Sequence, residues 1–290
     1  MVNPAQRLES NVDGEFFVDS SCIDCEACRW VAPDSFDGDG AYSRVYRQPA
    51  NDAQVEQALM ALLTCPVSAI GSESKHDMSA AKAAFPEYLA DEVYYCGYHS
   101  SASYGASSYF IRRPDGNVLV DSPRFARDLV NRLEALGGVD IMFLSHRDDV
   151  ADHQKFADYF GCRRIMHADD MGSGTRMFEQ PIDGADPVAL GDDLLMIPVP
   201  GHTRGSACLL YREHFLFTGD HLWWNPDQQR LRAGRRVCWY DWPAQIRSME
   251  RLRDHRFSWV LPGHGWRREV GAANTPAALD ECIAWMKSVA

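Results

Sequence analysis

Cys22, Cys25 and Cys28 recur at three-residue intervals, and Cys65-Pro66 lies well downstream. Thiolates so spaced can reach three corners of a cuboidal iron–sulfur cluster, with Cys65 as the fourth ligand. The competing reading is a structural zinc site, since four Cys also complete a tetrahedral shell. Zinc motifs, however, usually come as paired Cys-x-x-Cys knuckles. Cys96, Cys162, Cys208, Cys238 and Cys282 sit in apolar contexts and read as small core residues. A second chemistry begins after residue 145. Ser145-His146-Arg147-Asp148-Asp149-Val150-Ala151-Asp152-His153 is followed by Pro200-Gly201-His202-Thr203, by Thr218-Gly219-Asp220 and by Pro262-Gly263-His264-Gly265. Each segment supplies imidazole or carboxylate, and together they offer enough donors for two metal ions sharing one carboxylate. Such donors suit Zn or Fe rather than Ca or Mg. Two ions ~3.5–4 Å apart can hold a bridging hydroxide and polarise a substrate oxygen.

The elements that must carry these residues are legible from periodicity and turn chemistry. Strands are expected over 15–20 and 42–46, with the turn Asp37-Gly38-Asp39-Gly40 between them. Apolar residues at 55, 58, 59, 62 and 63 predict a helix over 52–64, ending at Cys65-Pro66. The polar, alanine-rich stretch 71–91 reads as a connection. From 92 onward, strands over 92–97, 107–111 and 118–121 precede a helix over 125–136, which Gly137-Gly138 closes. The apolar strand 139–144 runs straight into Ser145-His146. Further strands are expected over 164–167, 194–199, 208–211, 214–218 and 259–261, and helices over 154–160, 243–255 and 275–289. The Asp/His segments thus fall at the ends of apolar strands, as when a rigid scaffold presents chemistry on loops. The expected organisation is a small α+β domain over 1–75, a linker over 76–91 and an α/β layered domain over 92–290.

Two resemblances follow from these motifs. Residues 15–72 resemble single-cluster bacterial ferredoxins. In two-cluster ferredoxins the run continues x-x-x-Cys-Pro and that Cys serves the other cluster; here the same offset holds Ala32-Pro33. The resemblance implies one 4Fe–4S cluster, with 3Fe–4S as its variant. Residues 92–270 resemble the metallo-β-lactamase superfamily, and look closest to its glyoxalase II-like branch, through Gly-His-Thr-x-Gly-Ser, Thr-Gly-Asp and Gly-His-Gly. That resemblance implies an αββα sandwich with two divalent ions, zinc before iron, at one edge. His146, Asp148, His202 and Asp220 would hold the first ion. Asp152, His153 and His264, with Asp220 bridging, would hold the second, and Asp152 would position the attacking hydroxide. The family's first motif is His-x-His-x-Asp-His. In this chain the Asp-His pair comes two residues later and there is no second His; Asp148 keeps its offset, and Asp149 is its rival. A carboxylate there is similar to flavodiiron proteins, which have Glu at that position.

Around this site, Tyr104 in the loop 100–108 is a candidate substrate contact, as are His221, Trp223 and Arg235 in the Trp- and Arg-rich segment 221–242. The function these residues imply is hydrolysis of an ester, thioester or similar bond of a small molecule. The alternative is an iron-dependent oxidoreductase, flavodiiron-like or dioxygenase-like, fed electrons through the cluster by a transfer partner. A third reading makes the cluster a stability element or oxidation sensor. Composition narrows the partners: 29 Lys+Arg against 41 Asp+Glu give a net charge of −12, which argues against nucleic acid or anionic membrane as a bulk-charge partner. With no apolar run of bilayer length and no apolar leader, the expected location is cytoplasmic, where nine cysteines do not read as a disulfide framework.

Overall fold

The computed structural model describes residues 2–290, which divide into two compact units. The first comprises residues up to Asp140 together with Ala151–Phe160; the second comprises Ile141–Val150 and Gly161–Ala290.

In the first unit, strand Phe16–Val18 is buried throughout and pairs antiparallel with Ile70–Ser72. Phe36–Gly38 and Ser43–Val45 form a hairpin. Its turn is set by Asp39, whose carboxylate accepts from the amides of Ala41 and Tyr42, which is the chemistry of an Asx turn. The helix Asp52–Thr64 has its predicted bounds. Asn51 caps it by accepting from Gln54 N at 3.0 Å, and the Gln54 side chain reaches back to accept from Ala50 N at 2.8 Å. Residues 76–91, expected to link domains, hold the helix Ser79–Ala83 and the strand Glu87–Ala90. The alanines that make this stretch look featureless allow close packing: Ala81 is fully buried. Phe85 beside it meets the rings of Tyr95 and Tyr98 edge-on. Glu87–Ala90, Val93–Tyr95, Tyr109–Ile111 and Val118–Val120 then run as an antiparallel meander. Helix Arg127–Ala135 ends where the amides of Gly137 and Gly138 bond back to Glu134 and Leu133. Helix His153–Phe160 packs Phe156 edge-on against Phe125, ring centres 5.0 Å apart.

In the second unit, Ile141–Phe143, Arg163–His167 and Gln180–Ile182 are parallel neighbours. A separate six-stranded sheet takes Val188–Gly191, Leu194–Pro198, Ala207–Tyr211, Phe215–Gly219, Trp259–Pro262 and Arg268–Glu269 in that order. All of its pairs are antiparallel except Phe215–Gly219 with Trp259–Pro262. That parallel pair sets Gly219 opposite Pro262, so Asp220 and His264 emerge from the same sheet end. On one face, Leu210, Leu216 and Val260 pack with Met249 and Ile246 of helix Trp242–Arg251 and with Leu279, Ile283 and Met286 of helix Thr275–Ser288. Each such buried side chain contributes about 1.5–3 kcal/mol, which holds the sheet end rigid.

On the strand Arg163–His167, the buried Arg164 is held mainly by one carboxylate: Glu179 accepts from its Nε at 3.0 Å, its Nη2 at 2.7 Å and its backbone amide at 2.8 Å, and the Met177 carbonyl accepts from Nη2 at 3.1 Å. The hydrogen bonds from the Arg164 side chain, set against partial burial, hold Glu179 down at about 2. A depressed folded-state value adds stability above the unfolded Glu value of about 4.3. That contribution is lost as pH falls from there toward 2. Glu179 is 42% exposed, so screening reduces the effect. Glu179→Ala is expected to cost about 1–2 kcal/mol in urea unfolding at pH 7 and markedly less at pH 2. Equal costs at both pH values would contradict this.

Candidate metal centres

Cys22, Cys25, Cys28 and Cys65 line one cavity whose other walls are apolar apart from Ser43, among them Val18, Ile23 and Ile70. All four are free thiols. The chain brings three of them together where the loop bearing Cys22 and Cys25 enters the helix Ala27–Val31, whose first turn holds Cys28; Asp24 and Glu26 lie in the left-handed region at φ 56° and 64°. Arg29 holds both acidic side chains. Cys65 arrives as the C-cap of helix Asp52–Thr64. Backbone amides already point at sulfur: Asp24 N donates to Cys22 Sγ at 3.4 Å and Ala69 N to Cys65 Sγ at 3.2 Å. Burial pushes Cys25 up to about 12 and raises Cys28 and Cys65 as well. Thiolates in such a pocket need a bound cation to be stable. Four sulfurs, an apolar wall and amide donors fit an iron–sulfur cluster.

The loop 100–108, expected to line a substrate pocket, closes over these cysteines. Gly105 (φ +85°) approaches so near that a Cβ there would stand 2.7 Å from Cys25 Cβ and 2.9 Å from its Sγ. The Tyr104 hydroxyl, expected as a substrate contact, donates to the Ile23 carbonyl in the cysteine loop.

The second centre lies at strand ends of the second unit. His146 follows Ile141–Phe143, and the carbonyl of Ser145 accepts from Ala207 N at 2.8 Å, which ties that strand end to the loop bearing His202. His146 and His202 stand edge to face, ring centres 4.7 Å apart. Asp220 Oδ2 lies 3.8 Å from His146 Nε2 and 3.7 Å from His202 Nε2. His264 Nδ1 is 2.8 Å from Asp220 Oδ1. Two groups of donor atoms, each within 4.8 Å of one another, emerge: His146 with Asp148 and His202, and His146 with Asp149 and Asp220. Both rival carboxylates therefore reach the centre. Asp148 is half exposed, 3.5 Å from His202 Nε2, and Asp149 is buried, 3.9 Å from His146 Nδ1.

The electrostatics suit a cation. Burial pushes His146 down to about 4, which leaves the neutral imidazole that metals bind. Asp220 is held well below the usual carboxylate range: burial opposes ionisation, but His264, His146 and His202 outweigh it. Nε2 of His146 and both ring nitrogens of His202 are buried without a hydrogen bond. Buried donors left so are costly unless a ligand or ion satisfies them.

Asp152 and His153 belong to the first unit. Asp152 Oδ1 accepts from Lys155 Nζ at 2.8 Å and Oδ2 from Phe125 N at 2.8 Å, while His153 is buried at the start of its helix. His221, expected as a substrate contact, is 1% exposed. Burial, then His202, pushes it down to about 3. Trp223 is half-buried on strand Trp223–Asn225, and Arg235 is exposed in the turn Arg235–Val237.

One residue escaped the sequence reading. Asp170 is buried and accepts from Arg147 N at 3.0 Å, Gly205 N at 2.7 Å and Thr203 Oγ1 at 2.5 Å. It thereby locks the His146 loop to the His202 loop. Its signal was its position just after the strand Arg163–His167, the same strand-end rule that marked the His and Asp candidates. Asp170→Ala is expected to weaken metal binding by about 10–100-fold in a chelator competition assay. Unchanged affinity would show that the loops hold without it.

Residues 18–72 match the family described as the 4Fe-4S single cluster domain of Ferredoxin I. No curated protein matches the chain. Among solved structures, VMB-1 superposes with a TM-score of 0.54 at 15% identity, over 70% of this chain and 96% of that one. The DIM-1 metallo-β-lactamase gives 0.52 at 14%, over 70% and 97%. A metallo-β-lactamase from Pontibacter korlensis gives 0.50 at 16%, over 67% and 97%. The backbone likeness, together with strand-end His and Asp donors, gives this chain the metallo-β-lactamase fold, preceded by a segment that matches the single-cluster ferredoxin family.

Proposed function

We propose that the chain is a metal-dependent hydrolase of an ester, thioester or similar acyl bond, and that its cysteine centre holds a 4Fe–4S cluster. The observation that carries the hydrolase reading is the convergence of His146, His202, Asp220 and His264 with Asp148 and Asp149. Divalent ions bound there would acidify water and polarise an acyl oxygen. The protein's own part is positional. Asp220 orients His264 and faces both other imidazoles, Asp170 fixes the two loops, and the packed sheet end resists displacement. The proposal includes two zinc ions, with Asp220 shared between them and His264 serving the second. It also includes a small-molecule substrate. Among the described residues, no helix is long and apolar enough to cross a membrane.

A second reading is favoured by the quality of the cysteine centre: an iron-dependent oxidoreductase supplied with electrons by a partner through the cluster. Elemental analysis of anaerobically purified protein separates the two. The hydrolase reading expects about four irons and four acid-labile sulfides with about two zincs per chain. About six irons with four sulfides would replace it with the redox reading. Absence of sulfide would return the cysteines to zinc.

A further inference from the structure

Two tryptophans are fastened to residues of the His–Asp centre, one at His202 and one beside His264. The backbone amides of Trp239 and Tyr240 both donate to the His202 carbonyl, at 2.9 and 3.1 Å, and the Trp239 ring lies 6.3 Å from the imidazole. The indole of Trp223 lies on Gly265, the residue after His264. Gly265 has φ +96°, and a Cβ there would stand 2.5 Å from Trp223 Cγ. At its far edge, Trp223 reaches Gly234, where the turn Arg235–Val237 begins. Trp239 is 61% exposed, a large apolar ring left in water beside buried ligands. Arg235 and Arg236 are also exposed, and no ion pair among the described residues involves either of them. In a chain of net charge −12, they are cations placed beside a site that must admit substrate.

We infer that Trp223, Trp239, Arg235 and Arg236 form the substrate-receiving wall of this centre, and that its substrate is planar and anionic: an aromatic acyl compound carrying a carboxylate or phosphate. Indoles stack on flat rings, and guanidinium groups take up carboxylate and phosphate in paired hydrogen bonds. The inference rests on the hydrolase reading for the location of the substrate, and names its class.

The test is calorimetric titration of the metal-loaded protein with 2-naphthoate, its neutral amide 2-naphthamide, and cyclohexanecarboxylate, which keeps the charge without the flat ring. Naphthoate is expected to bind at least about tenfold more tightly than either, since a stacked ring and a charge-assisted contact are each worth a kcal/mol or more. Trp239→Ala should remove the preference over cyclohexanecarboxylate. Arg235→Ala with Arg236→Ala should remove the preference over the amide. Any direct contact of a carboxylate with the metal is common to both acids, so it does not imitate the first preference. Failure of naphthoate to bind, or both preferences surviving both variants, overturns the inference. If the preferences hold in protein that hydrolyses no ester, the hydrolase reading fails and the wall stands. If esters are hydrolysed without either preference, the wall fails alone.

Discussion

Asp220→Asn is expected to lower hydrolysis of a 4-nitrophenyl ester by about 10³-fold and to reduce bound zinc. Asparagine keeps the shape and removes the charge that faces His146, His202 and His264. Loss of a first ligand forfeits several kcal/mol of charge stabilisation, and each 1.36 kcal/mol is a decade in rate. Stability gives an independent sign. Asp220 is a buried carboxylate whose partners are imidazoles, one of them pushed down to about 4 by burial and so neutral at pH 7. Without metal, the variant should melt lower at pH 7, since a carboxylate that its imidazole neighbours hold below its usual range adds stability when ionised. With metal, the wild type should gain about 2.7 kcal/mol at a free ion concentration 100 times Kd, and the variant far less. A variant with wild-type zinc content and wild-type turnover would remove Asp220 from the centre.

The sequence carried the candidate donors further than it carried their surroundings. His146, His202, Asp220 and His264 were legible because each follows a run of apolar residues that can only be a buried strand. The structure places all four at strand ends. Helix Asp52–Thr64 was legible to the residue because its apolar spacing, its Asn51 cap and Pro66 all agree. What escaped depends on tertiary closure. Asp148 and Asp149 are adjacent and alternate in direction, so only the folded loop shows that both reach the histidines. Asp170 lies 23 residues from the Arg147 amide and 35 from the Gly205 amide it holds, a pairing no local pattern encodes. Tyr104 sits in a polar loop that resembles a pocket rim, yet its hydroxyl bonds to a residue 81 positions away in the cysteine loop. Residues 76–91 looked like a connection because alanine carries little pattern, although Ala81 packs in the core.

Cys65→Ser is the change expected to act most on the first unit. Cys65 is the one cysteine of the four that comes from outside the 22–28 segment, at the end of helix Asp52–Thr64 and just before strand Ile70–Ser72. A cluster bridging Cys28 and Cys65 closes a loop of ~40 residues. By the loop-closure relation derived for disulfides, such a crosslink is worth about 4 kcal/mol of denatured-state entropy. Serine is a poor iron ligand, so acid-labile sulfide should fall well below about four per chain, or one iron should be lost to give a three-iron cluster. The transition monitored by the first unit's tyrosines should then move to markedly lower urea. Full sulfide with unchanged stability would take Cys65 out of the ligand set. The same variant decides what the cluster is for. A hydrolase that still cleaves its ester without sulfide uses the cluster only as a clamp on the loop beneath Tyr104 and Gly105. If metal stays at His146 and Asp220 but turnover stops when sulfide is lost, the cluster takes part in the reaction, and the oxidoreductase reading gains what the hydrolase reading loses.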